Sequence, residues 1–464
     1  LSEYGIGSSV DLWRVTRHFE RLGKEGAEDA KFYKDKLDKY LVDWEQWKLN
    51  EIYIRPEDFF AESIRRMAGQ RRIGLTAIRS NPKIIGYNLT GMNDHVMGGE
   101  GLTTTFRELK PGAVDAMFEE LAPLRWCLFA EPKNSYRGGK VKLEVILANE
   151  DALPPGDYPA LIQVVGPDNK RIYEHKTTVT IPVTQNGVEP PLAFPVFSVN
   201  LPIDGPAGKY RLLATLERGG APRCGEVEFY IDDPNQMPKI ETEVTVWGVD
   251  SLLTKWLAGH HIKTRPFSAE KQKSREVILI GANPPEGKDT LLSFTSLVQH
   301  IARGSNAIFL APEVFKQGKN KVRYLPLKQK GSLSPMYSWL YLKDEWAKQH
   351  PVFEGLPAGG LMDHPFYREL IPDIAWMGQD PPKEAVAGAI KASLDYASGL
   401  MLSVHSFGSG NFILNTLLIR ENLGTHPAAE RLLRNLLLYA ARDQKKQIEK
   451  LPADFENKLR SLGY

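Results

Sequence analysis

Cysteine is nearly absent: Cys127 and Cys224 are the only two in 464 residues. No CxxC pair or Cys/His cluster accompanies them, so the pattern holds neither a thiolate metal site nor a disulfide framework. Both fall in a segment that reads as a β-sandwich, where one bridge could form, but two buried free thiols fit better. An excess of charge is missing as well. Lys and Arg number 59 against 57 Asp and Glu, which gives no basic bias toward nucleic acid and no acidic tail. Long hydrophobic runs are lacking too. Residues 436–441, among the longest, fall far short of the ~20 apolar residues that span a membrane. The opening residues show no basic-then-apolar leader, and the chain has no internal repeat and no low-complexity tract.

What is present is a globular composition, 42% hydrophobic, at a length that suggests about three domains. Residues 1–120 read as helical with two short apolar strands. Pro56, Glu57 and Asp58 open a helix, with Pro in the first turn and carboxylates at the positive helix end. Phe60, Ile64, Met67, Leu75 and Ile78 then recur at near-helical spacing as a buried stripe, which Asn81-Pro82 ends. Residues 83–89 read as a buried strand, so the order is strand, helices, strand, the βαβ rhythm of a parallel sheet. From 121 to 235 the period becomes two: Val141, Leu143, Val145 and Leu147 alternate with polar residues, as do Val179, Ile181 and Val183, and Val227, Phe229 and Ile231. Turn signals at 154–157, 166–169 and 205–208 divide the runs, as in an antiparallel, Ig-like sandwich.

The third region, 236–445, alternates strands and helices again. Residues 277–281 and 307–310 read as buried strands, and 291–303 as a helix. Residues 400–404 and 412–417 read as a hairpin across Gly408-Ser409-Gly410. Thr425, Pro427 and Glu430 open a helix whose Leu432, Leu433, Leu436 and Leu437 face the core. Residues 446–464 read as a charged tail, a surface helix or a frayed end.

A lone βαβ unit would leave a parallel sheet uncovered, and parallel sheets are almost always buried on both faces. A (β/α)8 barrel needs ~250 residues. Residues 1–120 are therefore expected to be its last two βα units, with the chain the C-terminal part of a longer one. Barrel enzymes carry their functional groups at the carboxyl ends of strands. Glu3 sits at the end of the first apparent strand. Tyr87, Asn88, Asn93, Asp94 and His95 cluster at and after the end of the second.

Ser2-Glu3-Tyr4-Gly5 resembles the nucleophile segment of glycoside hydrolase family 2, the β-galactosidase, β-glucuronidase and β-mannosidase group, at the end of barrel strand seven. Residues 85–88, with Tyr87-Asn88, resemble that family's strand eight, although Tyr87 stands where Trp is usual. The resemblance implies a TIM-barrel glycosidase domain at 1–120 followed by accessory modules. The third domain is similar to the class I glutamine amidotransferase-like fold. A nucleophilic Cys would be needed after a central strand. Ala311-Pro312-Glu313 stands there instead, so the domain is expected to be non-catalytic.

The resemblance implies a retaining glycoside hydrolase acting on β-linked glycans, with no cofactor and no metal. Glu3 would be the nucleophile. Tyr4, Tyr87, Asn88, Asp94, His95 and Glu100 would bind substrate. The acid/base usually lies in an Asn-Glu pair on strand four. Asn50-Glu51 and Asn149-Glu150 both lie after Glu3 and so cannot supply it. The chain by itself is expected to be inactive. The partner implied is a carbohydrate, with neither nucleic acid nor membrane; a homo-oligomer is left open. The compartment is not determined, although bacterial members with this layout are often exported.

Bland readings stand beside these. Trp44 and Trp47, three apart, fit helix packing better than sugar stacking. His260-His261 and the basic stretch 316–330 fit a solvated surface, and His405 and Glu313 fit structural roles. The competing class is a non-catalytic carbohydrate-binding or assembly protein.

Overall fold

The computed structural model describes residues 1–186, 189–248, 250–269, 272–281, 290–337 and 343–464. It combines helices with several sheets, a multidomain arrangement of α/β and β-rich parts. Two compact units emerge: Leu1–Asp11 with Phe60–Gln236, and Leu12–Phe59 with Met237–Tyr464. The first helices are α1 (Leu12–Arg21), α2 (Glu28–Gln46), α3 (Pro56–Arg79) and α4 (Ala113–Glu120). Among the described residues, no helix is long and apolar enough to cross a membrane.

In the first unit, the expected stripe on α3 is buried: Phe60, Ile64, Met67, Leu75 and Ile78 are each at most 8% exposed. Two extended segments lie against this helix. Tyr4 and Leu89 form a parallel bridge, flanked by hydrogen bonds from Tyr4 N to Asn88 O (2.9 Å), Asn88 N to Leu1 O (3.1 Å) and Thr90 N to Tyr4 O (2.8 Å). The parallel direction is as expected. The buried strand at 83–89 is not: Ile85 is 90% exposed, and only the bridge is regular. Two segments can bury one face against a helix, and on their other side Glu3 and Asn88 stay exposed.

The sandwich follows. Its strands are β1 (Leu124–Glu131), β2 (Asn134–Tyr136), β3 (Lys140–Asn149), β4 (Gly156–Val165), β5 (Arg171–Ile181), β6 (Ala193–Pro202), β7 (Gly208–Leu216) and β8 (Glu226–Asp232). They pair as β1-β3-β6 and β2-β8-β7-β4-β5. Alternation along β3 sends Val141, Leu143, Val145 and Leu147 into the core, where Trp126, Ile162, Leu212, Phe229 and Ile231 meet them. Cys127 and Cys224 are free thiols. Burial pushes both up to about 11, so they are neutral and inert at ordinary pH.

The second unit is built on β9 (Val244–Trp247), β10 (Thr264–Pro266), β11 (Val277–Ile280), β12 (Asn306–Phe309), β13 (Ser332–Pro335), β14 (Asp344–Ala347), β15 (Gly360–Leu361), β16 (Ile374–Met377), β17 (Glu384–Ser393), β18 (Asp395–Phe407) and β19 (Gly410–Asn415). Strands β10-β9-β11-β12-β19 are parallel, in the order 2-1-3-4-5 of a doubly wound sheet. The expected hairpin is β18–β19, which begins an antiparallel extension through β17, β14 and β15. The helices are α5 (Ser251–Gly259), α6 (Thr290–Ala302), α7 (His364–Tyr367), α8 (Pro427–Ala441) and α9 (Phe455–Leu462). Leu432, Leu433, Leu436 and Leu437 of α8 are buried as expected, but His426, not Thr425, caps it by accepting from Ala428 N.

Two segments lie elsewhere than their composition suggests. Residues 12–59 pack in the second unit: Trp47 meets Trp346 at 5.8 Å, Lys348 Nζ reaches Glu51 at 2.7 Å, and Tyr396 donates to Asp43. Trp44 packs on Tyr40 and Tyr53, the helix-packing role. The charged stretch 446–464 is not a free tail. Every third or fourth residue of α9 is apolar, and Phe455, Leu459 and Leu462 enter the core beside Leu325 and Phe407.

Helix α3 carries two glycines with opposite surroundings. Gly69 is open, whereas a Cβ at Gly74 would stand 2.1 Å from the Tyr4 hydroxyl oxygen. Gly69→Ala should stabilise the protein by about 0.5–1 kcal/mol, and Gly74→Ala should destabilise it by about 1–3 kcal/mol. Urea unfolding of both reads this out; equal shifts would refute the Tyr4 contact. In the second unit, Glu384 accepts from His350 Nε2 (3.0 Å) and Tyr439 (2.7 Å). The His350 contact leads in holding its carboxyl down at about 2. A depressed carboxylate contributes stability above its unfolded value, about 4.5, and that stability fades as pH falls toward 2. The stability gap between the native protein and Glu384→Gln should therefore narrow over that window. A gap independent of pH would show that the carboxylate's charge does not matter.

Candidate functional site at the end of a parallel pair

Side chains alternate along extended segments. Tyr4, Tyr87 and Leu89 pack with Leu75, Ile78 and Met117, so they take the helix face. Glu3 and Gly5 on one segment, and Asn88 and Thr90 on the other, take the opposite face. Glu3 and Asn88 are exposed there.

Helix α3 holds this arrangement through one cation. Arg71 interrupts the apolar stripe, four residues from Met67 and four from Leu75, and is 0% exposed. Its Nε donates to Ile6 O at 3.1 Å, and its Nη2 donates to Glu100 O. Its own carbonyl accepts from the Tyr4 hydroxyl at 2.9 Å. Burial raises the Tyr4 phenol to about 12, so it remains a donor. Burial also lowers the Arg71 guanidinium, against the pull of Tyr4, Glu100 and Asp94.

A second buried cation holds the loop that follows. Lys110 Nζ reaches Asp94 Oδ1 at 2.6 Å, Gly99 O at 2.8 Å and Ser8 Oγ at 3.2 Å, and Gly101 N donates to the same Asp94 oxygen at 2.8 Å. Asp94 and Lys110 are 4% and 2% exposed. Burial pushes the carboxyl up and the ammonium down, and each supports the other's charge. Asp94 is thus committed to the loop.

The remaining candidates separate clearly. Tyr87 is half-buried against α3, and burial raises its phenol. His95 is exposed on a tight turn, exchanging backbone hydrogen bonds with Gly98 at 3.2 and 2.7 Å. Glu100 comes to the face of Glu3. A Cβ built on Gly5 points to the same side as the Glu3 side chain and would lie 3.5 Å from Glu100 Oε2. Glu3, Asn88 and Glu100 therefore share one open face at one end of the pair. Arg71, Lys110, Ser8 and Thr90 are additional members that sequence reasoning missed. A lone Arg in the middle of an apolar stripe was the one available signal.

In the second unit, Ala311 and Pro312 are buried after β12, and Glu313 is exposed. His405 is 2% exposed, stacked on Phe412, with Ser403 Oγ at 3.1 Å. Burial lowers it to about 4, so it is a neutral core residue. His260 is half-buried, stacked on Trp256 at 4.3 Å.

No family model matches the chain, and no curated protein matches it. Solved structures match over short stretches. An α-2-macroglobulin from Salmonella aligns at 19% identity over 26% of this chain and 8% of that one, with a TM-score of 0.18. A CARDB domain from Pyrococcus furiosus aligns at 15% over 24% and 91%, at 0.17. A glycosyl hydrolase family 2 member from Bacteroides cellulosilyticus aligns at 12% over 44% and 27%, at 0.16. This chain spans less than a tenth of the macroglobulin's length.

The Lys110 lock is testable by itself. Lys110→Met leaves Asp94 buried without its cation and should cost about 3–5 kcal/mol. Adding Asp94→Asn should recover part of that loss in urea unfolding. A double variant no more stable than the single one would show that the pair is not coupled.

Proposed function

We propose that the first unit carries the nucleophile end of a retaining glycoside hydrolase acting on β-linked glycans. The observation that carries this reading is Glu3, exposed on the face and end of a parallel pair that it shares with Asn88 and Glu100. Parallel sheets are nearly always covered on both faces, and here Glu3 and Asn88 stay exposed on the face away from α3. Barrel enzymes keep their reactive groups at such strand ends. Both facts support reading the pair as the last strands of a (β/α)8 barrel, whose other strands come from outside these residues.

In the completed site, the Glu3 carboxylate attacks the anomeric carbon as the glycosidic bond breaks. A second carboxyl group, on the completing strands, protonates the leaving oxygen and then draws a proton from water, which releases the sugar from Glu3. Asn88 and Glu100 contact the sugar. Tyr4, Tyr87 and Asp94 act through the backbone they anchor, and His95 lies at the rim. The sandwich and the doubly wound domain are accessory modules. The latter is amidotransferase-like without its nucleophile, because the sequence has no Cys beyond Cys224.

In the complete protein, Glu3→Gln should lower hydrolysis of aryl β-glycosides by on the order of 10³-fold or more. A 2-deoxy-2-fluoro β-glycoside should leave its sugar on the Glu3 peptide, read by mass spectrometry. Unchanged turnover, or a label on another residue, would sink the reading and leave a glycan-binding or assembly role.

A further inference from the structure

Glu100 is 9% exposed; its carboxylate accepts no hydrogen bond among the described residues, and the nearby charge it feels is that of Arg71. Its surroundings are built to keep it where it is. Arg71 holds the Glu100 carbonyl from below, and Lys110 holds the neighbouring Gly99 carbonyl at 2.8 Å. Gly91, at φ 76°, passes so close that a Cβ there would stand 2.4 Å from Glu100 Cγ. Gly5 leaves the other side open: a Cβ there would touch Thr90 Cβ at 3.4 Å and Glu100 Oε2 at 3.5 Å.

Thr90 adds an independent observation. Its Oγ1 is buried and has no hydrogen-bond partner among the described residues. Thr90 lies two residues beyond Asn88, on the face of Glu3. An acceptor carboxylate and a hydroxyl able to donate or accept thus flank Gly5. Glu3 stands two residues away along the same segment, about 7 Å at the usual strand rise.

We propose that Thr90 and Glu100 form a hydroxyl-binding niche beside Glu3 that holds two adjacent hydroxyls of the sugar being cleaved, with Arg71 as its positioning residue. This rests on the glycosidase reading. Vicinal hydroxyls present two donors to one carboxylate, and such charge-assisted bonds are strong. The guanidinium of Arg71 already supplies positive charge nearby. A neutral polyol therefore suits the niche better than an amino sugar. Gly91 is required because a Cβ there would collide with Glu100 Cγ, and Gly5 leaves the space between Thr90 and Glu100 free.

The test uses the complete protein with a parent β-glycoside and its monodeoxy analogues. The native enzyme should prefer the parent over two adjacent deoxy positions by about 10- to 100-fold in kcat/KM. Glu100→Gln, which keeps the shape, should shrink that preference at those two positions and raise KM for the parent. Thr90→Val should act on the same positions more weakly. A Glu100→Gln variant that slows all analogues equally would assign Glu100 a purely structural role and overturn the proposal. A native preference for the amino sugar over the parent would overturn the hydroxyl assignment. The two readings fail separately. Loss of activity in Glu3→Gln with unchanged deoxy ratios in Glu100→Gln would remove only the niche, whereas full activity in Glu3→Gln would remove both.

Discussion

One buried guanidinium organises the first unit. Arg71 sits in the apolar stripe of α3 with no exposure to solvent. A cation so placed is tolerable only if backbone oxygens and carboxylates come to it. Ile6 and Glu100 lend their carbonyls, and Tyr4 bonds to the arginine's own carbonyl. Each bond fixes a different segment: the one before α1, the loop after the parallel pair, and the pair itself. Once Tyr4 is held on the helix face, alternation leaves Glu3 no choice but the open one.

The Lys110 lock works by the same logic on the neighbouring loop. It ties Ser8, near the start of the chain, to Asp94 and Gly99 of one later loop. A second buried ion pair joins α4 to the sandwich: Arg125 meets Glu120 at 2.6 Å and Thr76 at 2.8 Å. Buried ion pairs of this kind do little for net stability but penalise alternative arrangements when one partner is displaced. An exposed carboxylate on a short, two-segment sheet needs that kind of support. The second unit is held differently, by a large apolar core and aromatic contacts such as Phe294 on Tyr324 at 4.6 Å.

Much of the fold was legible where periodicity was strong. The α3 stripe, the alternation in β3 and β8, the β18–β19 hairpin and the leucines of α8 all follow from local pattern, since each element buries one face. Local pattern failed where burial depended on a distant partner. Residues 83–89 are apolar enough for a buried strand, but too little packs on them. Residues 446–464 look like a charged tail, yet three apolar residues at helical spacing are enough to dock α9. Of the candidate site, Glu3, Asn88 and Glu100 were picked out as residues, but not which of their neighbours point away.

The sequence by itself determined the order of the parts: a helical region with a parallel pair, a sandwich that holds both cysteines, and an alternating α/β region without a nucleophilic cysteine. These follow from composition and from periods of 2 and 3.6, which act over a few residues. Only the tertiary structure decided which face each candidate takes, because facing depends on contacts between residues scores of positions apart. It sent Tyr4 and Tyr87 to the helix, locked Asp94 to Lys110, and brought Thr90 and Glu100 beside Gly5. It also assigned residues 12–59 to the second unit, where Trp47 finds Trp346, a partner that no local pattern could have named.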